Sequence, residues 1–306
     1  MIVAGSQTSH PSSSGTHSDV RSATWKLQKE VVLLLAWGPA ILLQLAHPLV
    51  AQGVADHSTF RTERWGRARR LYRTLDAMLG LCFGTEREAR AVAARINAIH
   101  DRVHGELRES AGVFAAGTSY SAHDPALLTW VHATLLAMNL RVYEAFVAPL
   151  SAAEKDRYCV EASGIEPALG IPDGRLPRSV SELEQYLDAK LTSGEITVSN
   201  VARTLAGTVV PPRTDPARWV MRLTTIGMLP PAIRAGYGFA WGPRHEVMLR
   251  LSARLVRRLL PLTPPVVRYW PAARAALSAA NRSGCPVRTH DHGCPVRTHD
   301  HARTRC

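Results

Sequence analysis

From Trp25 onward the chain reads as a succession of apolar stripes at helical spacing, with no alternating apolar and polar run of any length. Trp25–Trp37 and Ala40–Ala55 are strongly apolar, with breaks at Gly38-Pro39 and at His47-Pro48. Thr62–Cys82 is basic and amphipathic and stops at Phe83-Gly84-Thr85. Over Glu86–Val103 apolar residues fall at 89, 92, 93, 96, 99 and 103, close to a 3.6-residue period. Asp124 fits an N-cap and Pro125 a first helical position, predicting a helix from Pro125 to about Val147. Ser151 with Glu154 reads as a capping box opening a helix through about Gly164. Val180–Leu191 and Arg244–Leu260 are further helical stretches, and Pro211-Pro212, Pro230-Pro231 and Pro264-Pro265 punctuate the second half. β-branched residues cluster only at Ile196–Val201 and Thr208–Val210. The pattern predicts an all-α fold, a single globular helical domain over 25–275. A Ser-, Thr-, Gly- and His-rich lead (1–24) and a tail (276–306) read as disordered.

Composition sharpens this picture. The 306 residues are 46% hydrophobic and 20% charged, enough to bury a core. The net charge of +12 suggests anionic partners. However, the basic residues are almost all Arg, with four Lys, and no basic tract is interleaved with aromatics that stack on bases. We therefore expect no nucleic-acid partner. Of five Cys, Cys285, Cys294 and Cys306 crowd the tail, leaving Cys82 and Cys159 in the body and no disulfide framework. The lead lacks a basic start, apolar run and cleavage site, so a cytoplasmic location is the expectation. Val31–Ala46 is short for a bilayer span of about 20 residues and is broken by Gly-Pro, so it reads as buried helix. Lys26 and Lys29 before it leave peripheral membrane contact open. In the tail, GCPVRTHDH at 284–292 repeats exactly at 293–301. Its Cys and His are ligand types for Zn or Cu, but an identical back-to-back copy reads rather as a recent duplication in an unfolded tail.

Six histidines fall within the helical part: His47, His57, His100, His104, His123 and His132. His100 lies in line with Ala89, Val92, Ala93, Ile96 and Val103, while Asn97, Asp101 and Arg102 point away. A desolvated imidazole there needs a partner, either a hydrogen bond in the core or a metal or haem iron. His132, among Leu128, Val131, Leu135 and Leu136, poses the same choice, and His47 sits at the break before Pro48. Arg70 and Thr74 share one side of their helix, with Arg73 offset by one. A guanidinium cannot lose its charge, so a buried face there needs a carboxylate, such as a haem propionate or a neighbouring Glu or Asp. A solvated basic face is the bland alternative.

Four blocks, in order across roughly residues 30–190, resemble the latex clearing protein (rubber oxygenase) family, which includes the mpaB-type oxygenase. They are LLLAWGPAILLQLAHPLVAQGVADHSTF at 33–60, WGRARRLYRTLDAMLGLCFGT at 65–85, IHDRVHG at 99–105 and YSAHDPALLTWVHATLL at 120–136. The resemblance implies a globin-like arrangement around a haem b pocket and dioxygen-dependent oxidative cleavage of C=C bonds in an apolar, isoprenoid or lipid-like substrate. It places the iron-ligating His on His100, with His104 as rival, and the distal polar residues on Arg70, Arg73 and Thr74. His47 and His132 join the cofactor-binding candidates. Arg73 stands where the rubber oxygenases carry an iron-ligating Lys, and guanidinium is a far poorer ligand. The acidic base falls nearest Asp56. Non-catalytic haem binding, or lipid or membrane binding through Val31–Val54, are the alternatives.

Overall fold

The structure, a computed structural model, describes residues 22–57, 66–215 and 218–282, without the side chains of 66–74 and 279–282. Most of the lead and the repeated tail lie outside the described residues. The molecule is all-α: fifteen α-helices and one two-stranded hairpin among the described residues.

Its centre is α2 (Leu34–Leu45), which packs against α6 (Pro125–Phe146) and α11 (Trp219–Gly227). Ala36, Ala40, Leu42, Leu43 and Leu45 are buried on α2, as is Trp130 on α6. Each such Leu contributes about 1.5–3 kcal/mol by leaving water. The long apolar stretch of the sequence is therefore spent inside the fold. Among the described residues no single helix is long and apolar enough to cross a membrane. Val31–Leu45 with α3 (Pro48–His57) has the apolar length, but the two are bent by 105°.

Gly38-Pro39 does not break the chain, contrary to the sequence reading; both residues sit inside α2, and the break falls at Ala46–His47. Tertiary packing overrides the local signal. A Cβ on Gly38 would lie 2.1 Å from Thr225 Oγ1, so the glycine is what lets α11 press against α2.

Helices α4 (Gly66–Phe83) and α5 (Glu86–His100) form a helical hairpin. Thr85 turns it with a capping box: its hydroxyl accepts the N–H of Glu88, whose carboxylate accepts the N–H of Thr85. Helix α5 ends at His100 rather than Val103, because the chain turns there into β1 (His104–Glu106), antiparallel to β2 (Ser119–Ser121). These three-residue strands are too short to show alternation in the sequence. Beyond β2 the expected Asp124 cap and Pro125 start of α6 hold, with Asp124 accepting from Ala126 N at 2.8 Å.

The rest of the chain covers this centre: α7 (Ala152–Ser163, opened by the Ser151–Glu154 capping box), α8 (Glu166–Leu169), α9 (Val180–Thr192) and α10 (Asn200–Val209) come first. Then follow α12 (Pro231–Gly236), α13 (Pro243–Leu259), α14 (Pro265–Arg268) and α15 (Pro271–Arg282). The chain closes on its own beginning. Arg268 donates to both oxygens of Glu30, at 2.8 and 2.7 Å, and Glu30 is 1% exposed. Trp270 N–H donates to Lys29 O, and α15 then packs on α4. Glu30 follows α1 (Ala23–Gln28), whose Trp25 joins Phe83 and Ala273 in a small apolar cluster.

Gly38→Ala is expected to cost about 1–3 kcal/mol through overpacking. Adding Thr225→Ala removes the two side-chain atoms nearest the new methyl and recovers part of that loss. Urea midpoints of the two single variants and the double variant check this; strictly additive costs would refute the close contact.

Candidate functional site

Helices α4 and α5 run antiparallel, as Asp76 pairs with Arg95 at 3.8 Å and a Cβ on Gly80 would lie 3.0 Å from Val92. Continued along the pair, that register brings the helical turn carrying Arg70, Arg73 and Thr74 level with the end of α5. The side chains of these three residues lie outside the described residues. At the end of α5 stands His100, half-buried, with Nδ1 wholly buried and without a hydrogen-bond partner. The ring of His123 meets it edge-on, centroids 5.8 Å apart, and His123 is itself tied to Asp101 at 2.8 Å. Burial first, then the neighbouring His123, hold the His100 imidazole below its usual pKa, although Asp101 pulls the other way. The shift favours the neutral ring. Asn97 does not point away as the sequence reading had it: its Nδ2 donates to Ala168 O at 2.9 Å, docking α5 on α8.

His104 does not share a face with His100. The helix has stopped, and His104 lies exposed on β1, its backbone carbonyl 3.0 Å from Nε2 of His57.

The segment after His100 is locked by a second group of residues centred on Asp56 at the end of α3. Its carboxylate accepts two bonds from Gln52 Nε2, both 3.0 Å, and one from Tyr120 Oη at 2.8 Å. Arg108 closes the carboxylate from the solvent side. Tyr120 reaches it because two glycines make room. Gly105 is its cross-strand partner, and a Cβ there would lie 2.7 Å from the Tyr120 hydroxyl. Gly53 faces the other edge of the ring: a Cβ there would lie 3.3 Å from Tyr120 Cε2 and 3.5 Å from Val103. Burial and the Asp56 charge raise the Tyr120 pKa, so the phenol stays a donor. Three sequence blocks, Gly53–Asp56, His100–Gly105 and Tyr120–Pro125, thus meet around one ring. Gln52, Arg108 and Tyr120 carry no signal of this in the sequence beyond lying in or near those blocks.

Comparison with known proteins bears on this meeting point. The model of the ER-bound oxygenase mpaB/B'/rubber oxygenase catalytic domain matches residues 25–258, including all of the Asp56 cluster and the α4–α5 hairpin. The chain belongs to this family. Two relatives, the uncharacterized proteins Mb2261 of Mycobacterium bovis and Rv2237 of Mycobacterium tuberculosis, are each 26% identical over 236 residues. The alignments cover 72% of this chain and 87% of each relative. No solved structure matches. The family is one of oxygenase-type catalytic domains, which makes this chain an oxidoreductase of the mpaB/rubber oxygenase type.

Within the mpaB-type domain two candidate histidines remain, His47 before α3 and His132 on α6. His47 is buried, caps α3 by accepting Leu49 N–H at 3.3 Å, and packs on Phe114. His132 faces α7 and α8, with Nε2 buried and unpartnered. Desolvation lowers both to about 4; for His132 a hydrogen bond with the Ala162 backbone opposes it. A cleft of about 270 Å³ opens between Leu107–Gly112 and Thr197–Arg203, beside Gln52, and a cavity of about 20 Å³ lies between α2 and α4; His100 lines neither.

Tyr120→Phe leaves the Asp56 carboxylate short of one donor and should lower stability by about 1–2 kcal/mol in urea titration, with the fold retained. His47 and His132 titrate below the 6.5 of free imidazole, so on acidification the unfolded chain takes up protons first. Stability is then full above about pH 6.5 and falls as pH drops toward 4, by on the order of 2–3 kcal/mol each. Urea midpoints at pH 7 and pH 5 test it, and His132→Gln should flatten the difference.

Proposed function

We propose that this domain is a haem b-dependent oxygenase that cleaves C=C bonds of an apolar, isoprenoid or lipid-like substrate. The observation that carries the reading is His100: a half-buried imidazole with a wholly buried Nδ1 that has no hydrogen-bond partner among the described residues. A buried nitrogen left unpaired is costly unless something binds it, and a neutral imidazole is the form that ligates iron. Its position level with the Arg70–Thr74 turn supports a group seated between the two helices.

Bound there, the haem would supply iron for dioxygen chemistry, and the chain supplies orientation and a dry site. One dioxygen per double bond balances the reaction, each alkene carbon ending as a carbonyl. His100 would hold the iron, Arg70 would offer a permanent cation to a propionate, and Arg73 and Thr74 would supply further polar groups. Asp56 already accepts from three side chains, and we assign it to holding the segment after His100 rather than to taking an allylic proton. His104, exposed on its strand, is the poorer ligand in this reading.

Full-length protein produced with ample haem should be red-brown with a Soret band, and His100→Ala should lower haem occupancy at least tenfold. His104→Ala and His132→Ala should retain it. Dioxygen uptake with polyisoprene or farnesyl compounds, giving aldehyde and ketone ends, tests the reaction separately. A colourless protein that takes up no haem would end this reading.

A further inference from the structure

Helix α13 carries an apolar stripe on the side away from the core. Leu249 and Ala253 point inward, whereas Leu251, Leu255 and Leu259 are 56%, 58% and 50% exposed, with Val247 and Met248 beside them. The stripe continues past the helix into Leu262, 79% exposed, and Val266 and Val267. Eight of the twelve large exposed hydrophobics among the described residues thus fall within the 21 residues from Val247 to Val267. Over α13 alone the stripe runs about 18 Å. Its charged company is almost wholly cationic: Arg244, Arg250, Arg254 and Arg258, against Glu246, which is held by Trp241 and Arg234; Arg257 instead turns to the carbonyls of Glu144 and Ala145. Arg244, Arg254 and Arg258 make no ion pair or hydrogen bond among the described residues.

We propose that this face of α13, with the turn after it, docks on an anionic lipid surface. An exposed helix with Leu on one arc and Arg along it lies in the plane of a membrane interface, the apolar side chains below the headgroups and the guanidinium groups among the phosphates. The charge pattern argues against a second copy: a twofold contact through this stripe would set arginines against arginines. The tail does not suit it either. Residues 283–306 hold four Arg against two Asp, and Val287 and Val296 are their only aliphatic side chains larger than Ala. In the stretch Val31–Val54, which the sequence offered for membrane contact, every residue is buried or half-buried. The inference does not depend on haem or turnover.

The test is flotation of the full chain with phosphatidylcholine vesicles, with and without phosphatidylglycerol. We expect binding that needs the anionic lipid and falls with salt. Leu251→Glu with Leu255→Glu should abolish it, and Arg254→Glu with Arg258→Glu should weaken it about 30-fold or more. Val113→Glu with Val160→Glu, exposed elsewhere, should leave it unchanged. Wild-type protein that does not float, a Leu variant that floats like wild type, or equal binding to neutral vesicles would each overturn the proposal. So would a dimer that the Leu variant dissociates without lipid, which would assign the stripe to a second copy.

Discussion

The constraint on which the candidate site depends is the carboxylate of Asp56. A largely shielded acid needs strong donors, and here they come from three directions: Gln52 one turn back on α3, Tyr120 on β2 and Arg108 beyond β1. Those bonds draw the hairpin onto α3 and fix the chain that leaves α5. The two glycines are their condition, since a methyl on Gly105 would occupy the place of the phenol oxygen. The chain that leaves α5 after His100 is thereby tied to the end of α3. Segments of three of the sequence blocks meet at this corner of the molecule.

Much of the fold was legible because helical caps and stripes are local. Asp124-Pro125, Ser151–Glu154 and the Phe83-Gly84-Thr85 stop all mark element ends correctly. Where reading failed, a distant contact had won. Gly38-Pro39 looks like a break until α11 is seen lying against the glycine, and Val103 looks like the last turn of α5 until it is seen packed beside Gly53. His100 stood out as an imidazole in apolar company. The ring of residues around Asp56 did not, because Arg108 and Tyr120 lie 52 and 64 residues away and only the hairpin brings them back.

The arginine excess also changes meaning once placed. Arg268 and Arg234 are partly buried and paired with carboxylates, serving the fold. Arg244, Arg254 and Arg258 on α13 have no ion pair or hydrogen bond among the described residues. The apolar content divides the same way: α2 gives its leucines to the interior, and α13 keeps a row of them in water.

The fork of Arg268 on Glu30 has a consequence for how this protein can be dissected. The family match ends at residue 258, yet the countercharge for an almost wholly enclosed glutamate arrives ten residues later. Cutting at the edge of the homologous region would strand that anion, at about 3–5 kcal/mol, and strip α15 from α4. The smallest autonomous piece of this chain is therefore longer than its evolutionary signature.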